Sequence, residues 1–168
     1  GTAITTGDRN TAVGFEALKT ATTASYCVAV GYQALENNTG NNNTAVGDQA
    51  LEACTSGTNN TAVGDDAGVA ITTGIHNTIM GVSAGDALTV AQYNVAIGGN
   101  SLSSDTQGSR STAVGYGALN GQNQSTAADT YNVAVGYTAG NNMSTGKSNT
   151  LLGSNAAAGS TLSGDDNT

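Results

Sequence analysis

The sequence predicts an all-β fold, a parallel β-solenoid (β-roll) of about nine coils with a 17-residue repeat. The main observation is the pentapeptide Asn-Thr-Ala-Val-Gly, which stands at 10–14, 43–47 and 60–64 and recurs six more times in variant form. The glycines that close the nine copies anchor the repeat, and they are Gly14, Gly31, Gly47, Gly64, Gly81, Gly98, Gly115, Gly136 and Gly153. Successive anchors are 17, 16, 17, 17, 17, 17, 21 and 17 residues apart. Residues 1–168 are therefore expected to form a single repeat domain.

Each repeat carries two expected corners. A second glycine lies seven residues before the anchor in six of the nine copies. Glycine reaches positive φ without a Cβ clash, so both glycines suit corners. Seventeen residues with two corners are too few for two packed helices and are typical of one solenoid coil. Stacked coils place identical residues in columns about 4.8 Å apart, which makes nine coils roughly 43 Å long.

The composition excludes several classes of protein. The chain has 24 glycines, no proline or tryptophan, 4 basic and 12 acidic residues, and a formal net charge of −8. Four cations cannot neutralise a run of phosphates, so no nucleic-acid partner is expected. No apolar run approaches the roughly 18 residues of a membrane span, so no membrane insertion is expected in this segment. One histidine and two cysteines offer little for a zinc site, and no cofactor is expected.

Two apolar columns precede the anchors. A large apolar residue stands directly before each anchor and alanine usually stands one residue earlier, as in Ala45 and Val46. Neighbouring strand residues point to opposite faces, so we expect the bulky Val column to fill the coil and the Ala column to face outward. Ala50 and Leu51, after the corner, repeat this situation. The alternative is that one apolar column lies at a bend and both columns are internal.

An outward apolar stripe along a whole rod is too large to leave in water. We therefore expect lateral association with identical chains, with the small alanines near a shared axis. The chain opens within a coil at Gly1-Thr2-Ala3 and closes on Asp166-Asn167-Thr168, which matches the start of a further repeat. It is expected to be a segment of a longer array, and a targeting signal, anchor or binding tip would then lie outside it.

The pattern Asn-Thr-Ala-Val-Gly-x-x-Ala-Leu at 10–18 and 43–51 resembles the head repeats of trimeric autotransporter adhesins. It also resembles repeat tracts of bacteriophage tail-fibre proteins, and the resemblance spans about 4–158. The resemblance implies a left-handed parallel β-roll, a homotrimer, and an extracellular location on a cell surface or a virion tail fibre. It implies attachment to a cell-surface glycan or protein receptor. Adhesin heads more often use a shorter period, so the longer coil favours the fibre-type relatives.

These features predict a structural or adhesive module, a stiff shaft or head for host or surface attachment, and not an enzyme. One alternative is a polysaccharide-cleaving tailspike-type enzyme domain, which requires a pair of carboxylates in a groove. Another alternative is an ice-binding β-solenoid, which requires regular Thr-x-Thr columns. Thr5-Thr6 and Thr72-Thr73 are adjacent rather than alternating, which counts against ice binding.

The acidic residues offer one weak metal hypothesis, and no catalytic or cofactor-binding residue is expected. Asp48 and Asp65 follow their anchors directly, and Asp66 lies beside them. A calcium ion could bridge such stacked carboxylates, but a solvated acidic patch is the explanation that we favour. The segment 140–148 resembles a phosphate-binding loop superficially, but five residues rather than four separate its glycines, so no nucleotide site is expected.

Aromatic residues and an insertion supply the remaining site candidates. Phe15 with Tyr32, and Tyr116 with Tyr137, share the position after the anchor, so each pair should stack between neighbouring coils. The 21-residue interval places an insertion between Asn120 and Tyr131, which should bulge as a loop. The possible ligand contacts are therefore Gln122, Asn123, Gln124, Tyr116 and Tyr137.

The asparagine that opens each pentapeptide predicts an amide hydrogen-bond ladder along the rod, through Asn43, Asn60, Asn77 and Asn94. Cys27 and Ser111 replace this asparagine in two copies. Cys27 and Cys54 occupy different columns, so no intrachain disulfide is indicated and the redox compartment stays open.

Overall fold

The computed structural model describes residues 4–159 and 163–167 and confirms the predicted fold class, a parallel β-solenoid of about eight turns. The strands are β1 (Thr11–Val13), β2 (Val28–Val30), β3 (Thr44–Val46), β4 (Thr61–Val63), β5 (Thr78–Met80), β6 (Val95–Ile97), β7 (Gly108–Ser109), β8 (Thr112–Val114), β9 (Ala128–Asp129), β10 (Val133–Val135) and β11 (Thr150–Leu152). Nine of them form one parallel sheet in the order β1-β2-β3-β4-β5-β6-β8-β10-β11, and β7 pairs with β9 separately. None of the described residues is helical.

The sheet is in register with the repeat. Ala45 of β3 lies opposite Ala29 of β2 and Ala62 of β4, and the same holds along the sheet. Residues 1–3 and Thr168, which frame the expected partial repeats, lie outside the described residues. Asn167 is described, and its carbonyl accepts the Thr150 N–H at 2.7 Å, so it continues the coil-to-coil hydrogen bonding.

The anchor glycines sit where two coils pack backbone against backbone. Gly47 has φ 140°, and a Cβ built on it would lie 2.2 Å from the carbonyl oxygen of Gly64 in the next coil. A side chain at this position would meet both a disfavoured backbone conformation and a backbone clash. The period of the sequence is therefore enforced by backbone packing at these corners.

The interior contains the alanine column, and the expectation that Val fills the coil is wrong. Ala29, Ala45 and Ala62, the central residues of their strands, are fully buried. Val13 is 57% exposed, and its counterparts along the sheet are exposed or half-buried. The reason is that residues after the corner already occupy the interior, which in most coils leaves space beneath the sheet for little more than a methyl group. Ile79 and Leu151 replace the alanine in two strands and are buried beside Gly85 and Gly140, which lack a side chain.

The alanine and leucine after each corner are both internal, as the alternative interpretation held. Ala50 and Leu51 are fully buried. Leu51 has φ 53°, in the left-handed region, so the chain bends there and consecutive side chains both enter the coil. Such a conformation is uncommon for leucine, and we attribute its occurrence to the apolar area that the buried side chain removes from water.

At two internal positions the side-chain sizes compensate for each other from coil to coil. The position four after the anchor is Leu in five coils, and in three others it is Gly68, Gly85 or Gly140. Coils with this glycine carry a large apolar residue three positions later, and these residues are Ile71, Leu88 and Met143. A Cβ on Gly85 would lie 2.9 Å from Leu88 Cδ1, so the later side chain fills the space that leucine fills elsewhere.

The predicted asparagine ladder is confirmed. Asn60 donates from Nδ2 to the Gly74 carbonyl at 2.8 Å, and its Oδ1 accepts the Asn77 N–H at 3.0 Å. Asn77 repeats the pattern with the Ala91 carbonyl and the Asn94 N–H. These amides are buried, so each ladder step satisfies backbone groups that water cannot reach.

Where the ladder asparagine is replaced, a polar side chain seven residues after the anchor takes over its hydrogen bonds. Beside Cys27, Asn38 donates to the Gly40 carbonyl at 2.7 Å and accepts from Asn43 Nδ2 at 3.0 Å. Beside Ser111, Gln122 donates to Ser111 Oγ at 3.1 Å and accepts from Asn132 Nδ2 at 2.8 Å. The substitutions therefore leave the buried network connected.

A threonine ladder, which the sequence analysis did not anticipate, runs beside the second corner. Thr55 Oγ1 donates to the Thr72 carbonyl at 3.2 Å, Thr72 Oγ1 to that of Thr89 at 3.3 Å, and Thr89 Oγ1 to that of Thr106 at 2.9 Å. Each hydroxyl links one coil to the next, as the asparagines do inside.

Candidate functional site

The outer face of the nine-stranded sheet presents an apolar stripe. We call it the outer valine column, and its members are Val13, Val30, Val46, Val63, Met80, Ile97, Val114, Val135 and Leu152. Exposure is greatest at the ends, 57% for Val13 and 77% for Leu152, and Met80 is 40% exposed. A contiguous apolar surface of this length is a candidate interaction surface.

Beside the outer valine column, the two expected aromatic pairs form. The rings of Phe15 and Tyr32 are stacked at 5.5 Å between centroids, and those of Tyr116 and Tyr137 at 5.8 Å. All four side chains are exposed. Stacking along the rod axis turns most ring faces toward a neighbouring coil, so the rings present mainly their edges to solvent.

A second aromatic stack, which the sequence analysis missed, lies five residues before the anchors. His76 and Tyr93 are stacked at 5.1 Å, and the Arg110 guanidinium lies 4.8 Å above the Tyr93 ring and 6.0 Å from that of Tyr131. Arg110 is thus held between two tyrosines of neighbouring coils by cation–π contacts. The recurrence of Tyr, His and Arg at this offset was the available signal in the sequence.

The insertion bulges from the coil, as expected, and residues 125–127 are exposed. Its end forms β9, which pairs with β7 and adds a short second sheet. Between β9 and the preceding coils lies an open notch of about 350 Å³, lined by Gln92, Ser109, Ala127, Ala128 and Asp129.

The predicted ligand contacts of the insertion fall into two groups. Asn123 is exposed, as are Tyr116 and Tyr137. Gln122 is fully buried in the ladder network, and Gln124 is 7% exposed, with its amide donating to the Thr145 carbonyl at 3.1 Å. Both glutamines hold the coil together from inside, so neither is placed to contact a ligand.

A surface ion pair holds Asp129, one of the residues that line the notch. Arg110 Nε lies 3.0 Å from Asp129 Oδ1, and Tyr131 Oη donates to Asp129 Oδ2 at 3.1 Å. The hydrogen bond and charge of Asp129 raise the pKa of Arg110. The pair is half-exposed, so it contributes little stability and instead orients the side chains.

The acidic residues Asp48, Asp65 and Asp66 do not gather into a coordination shell. Burial first, then the charges of Asp65 and Asp48, raise the pKa of Asp66. Across residues 4–159 and 163–167, no three His, Cys, Asp or Glu side chains converge as metal ligands. A calcium site at these aspartates stays a hypothesis from the sequence.

Cys27 and Cys54 are buried free thiols on the ladder side of the coil. Burial raises the pKa of Cys27, and it raises the pKa of Cys54 to about 12. Burial favours the protonated form of both thiols in the folded chain. The stability that each buried thiol contributes is therefore fully present at pH values below the ordinary pKa of cysteine. For Cys54 it is lost as the pH rises toward 12.

At pH 8 we expect Cys54 in the folded chain to react with iodoacetamide roughly 1000-fold more slowly than a free cysteine, because only the thiolate attacks. Mass spectrometry of the labelled peptides would measure each site separately. The same reaction in denaturant is the control, where both cysteines should label fully. Rapid labelling of Cys54 in the folded chain would contradict its burial.

No known protein family, curated protein or solved structure matches the chain. Among the residues that the structure describes, no helix has the length and apolarity to cross a membrane. The site and the fold therefore carry the functional argument by themselves.

Proposed function

We propose that this chain is a structural and adhesive module of a trimeric surface fibre or phage tail fibre. It acts as a stiff extracellular shaft or head that serves attachment to a host or surface. The single observation that carries the proposal is the outer valine column, an apolar stripe that runs the length of the sheet. Three copies packed around one axis would remove this stripe from water, at roughly 25 cal/mol per Å² of apolar surface buried.

The proposed axis differs from the one expected from the sequence alone. The alanine and leucine columns are buried within the coils except at the two ends, where Ala12 is exposed and Ala156 half-buried, so they are not available to face a partner chain along the rod. The outer valine column takes their place. Its strands are short and in register, so that identical chains can approach along the whole rod.

Stiffness supports the role of a shaft. Neighbouring coils are joined by parallel strand pairing along the sheet, and between several of them the buried asparagine ladder and the threonine ladder add side-chain hydrogen bonds. Bending such a rod would break several of these hydrogen bonds at once. A chain built this way suits a mechanical role, holding a binding element at a distance.

Light scattering tests the trimer directly. We expect a solution mass about three times the 16.4 kDa chain. Replacing Val46 and Val63 by lysine should reduce the mass to that of the monomer, because each trimer would bury six unpaired ammonium groups near its axis. Val69→Lys is the matched control, since Val69 is also half-buried but lies outside the outer valine column, and it should remain a trimer.

A wild-type chain that is folded and monomeric would overturn the trimer proposal. Circular dichroism of each variant separates loss of assembly from loss of fold. Monomeric lysine variants with wild-type β-structure would support the assignment of the valine column to the interface.

Ice binding is the second candidate function, because one specific observation favours it. Thr44, Thr61 and Thr78 open consecutive strands and point outward, two residues from the outer valine column. The outward pattern is thus Thr-x-Val rather than the Thr-x-Thr on which the sequence analysis based its objection. A folded monomer that lowers the freezing point of its solution below the melting point would favour this candidate. The tailspike-type enzyme gains no such support, since the notch is lined by one carboxylate, Asp129, rather than a pair.

A further inference from the structure

The notch between β9 and the preceding coils exists because of the insertion. In coils of 17 residues the corner before β8 or its counterparts stacks directly on the next corner. The 21-residue repeat places Ala127, Ala128 and Asp129 beside Gln92 and Ser109 instead, around a volume of about 350 Å³. This volume lies at the lower end of ligand pockets, roughly 300–1,000 Å³, and suits one small ring rather than an extended chain.

The polar groups at the notch retain hydrogen-bonding capacity. Within the described part of the chain, the side-chain amide of Gln92 forms no hydrogen bond. The backbone N–H of Gln92 donates to Ser109 Oγ at 3.0 Å. Ser109 Oγ therefore keeps its own proton to donate. Asp129 accepts one bond at each oxygen, from Arg110 and Tyr131, and each oxygen retains a lone pair.

The combination of groups fits a sugar. Vicinal hydroxyls of a pyranose both donate and accept, and the notch offers an amide, a hydroxyl donor and a carboxylate acceptor within one small volume. The methyl groups of Ala127 and Ala128 add an apolar surface for the C–H face of a ring. Asp129 is itself held by the Tyr131 hydroxyl, which donates to its Oδ2.

Charge favours a neutral ligand. The chain has a net charge of −8, and the cation nearest the notch, Arg110, is neutralised by Asp129 and enclosed by Tyr93 and Tyr131. An anionic sugar would meet a carboxylate without a free cation to pair with.

We propose that this notch binds a neutral monosaccharide unit of a surface glycan, with Gln92, Ser109 and Asp129 as its hydrogen-bonding groups. The inference rests on the proposed attachment function and names its ligand class. It moves the contact from Gln122 and Gln124, which are internal, to the residues around the end of the insertion.

Saturation-transfer NMR on the full chain tests the proposal, with methyl glycosides of glucose, galactose, mannose and N-acetylglucosamine as probes and sialic acid as an anionic comparison. We expect at least one neutral glycoside to bind with a millimolar Kd and sialic acid to give no signal. Ala127→Arg, which fills the notch from an exposed position, should weaken binding at least tenfold. Gln92→Ala should weaken it about three- to tenfold.

Ser56→Arg is the matched control, because it adds the same side chain at an exposed position several coils away, and it should bind as the wild type does. Absence of binding by all four neutral glycosides overturns the proposal, as does unchanged binding by Ala127→Arg or a preference for sialic acid. Solution mass measured on the same samples keeps the two proposals apart. If the chain is a trimer that binds no sugar, only the sugar site in the notch is ruled out. If it is a monomer that binds sugar, only the trimer is ruled out.

Discussion

Replacing Gly64 by alanine is expected to destabilise the chain by about 4 kcal/mol or more. A Cβ on Gly64 would lie 2.5 Å from the carbonyl oxygen of Gly81 and 2.6 Å from its carbonyl carbon, and the φ of Gly64 is 138°. The clash is with backbone in a coil that is itself held on both sides, so neither partner can move without breaking strand pairing. The midpoint of urea denaturation, followed by circular dichroism, measures the effect.

Two other glycines complete a graded series. Gly117 has φ 63°, and its Cβ would meet only Thr138 Cγ2 at 3.4 Å, so Gly117→Ala should cost about 1–2 kcal/mol of conformational strain. Gly159 has nothing within 4 Å of its Cβ, and Gly159→Ala should change stability by less than about 0.5 kcal/mol. Equal effects at Gly64 and Gly159 would contradict the close approach of the coils.

Substitution of Asn77 by leucine should produce the other large effect, a loss of about 2–6 kcal/mol. The variant leaves the Ala91 carbonyl and the Asn94 N–H buried without their partners, and each unsatisfied group costs roughly 1–3 kcal/mol. Leucine has the same number of side-chain heavy atoms as asparagine in the same branched arrangement and is bulkier, so it leaves no cavity and the loss reports mainly the missing hydrogen bonds. Thermal and urea denaturation of the variant would measure it.

Asn123→Leu is the matched control, because Asn123 is exposed on the insertion and stands outside the ladder. We expect a change of less than about 0.5 kcal/mol there. If Asn77→Leu proved as stable as this control, the buried asparagine ladder would not be a source of stability, and the rod would depend on strand pairing and apolar packing alone.

Part of the candidate surface could be predicted from the sequence, and part could not. Residues at equal offsets in a 17-residue repeat must lie in one column, so the stacking of Phe15 on Tyr32 and of Tyr116 on Tyr137 followed from counting. The spacing of the anchors also revealed the insertion, since 21 residues cannot fit a 17-residue coil. The position of Arg110 over the Tyr93 ring follows from the same repeat spacing. The signal in the sequence was the recurrence of Tyr, His and Arg five residues before the anchors.

The roles of Asn38 and Gln122 could not be predicted from the repeat spacing. Both stand seven residues after an anchor, a position that elsewhere contains Ile71, Leu88 or Met143. A polar residue there suggests a surface, and Gln122 was accordingly expected to contact a ligand. Only the packed coil shows that each one reaches the gap left by Cys27 or Ser111 in the asparagine ladder.

The sequence by itself determined the coil, its period, the order of the strands, the register and the asparagine ladder. All of these depend on position along the rod axis, which a repeat fixes once its spacing is constant. The tertiary structure alone decided which columns face inward. That choice depends on backbone dihedrals at the bends, such as φ 53° at Leu51, which turn two consecutive side chains into the coil and in most coils leave beneath the sheet only enough space for alanine. Valine is therefore outside, where a partner chain can cover it, because the interior was already full.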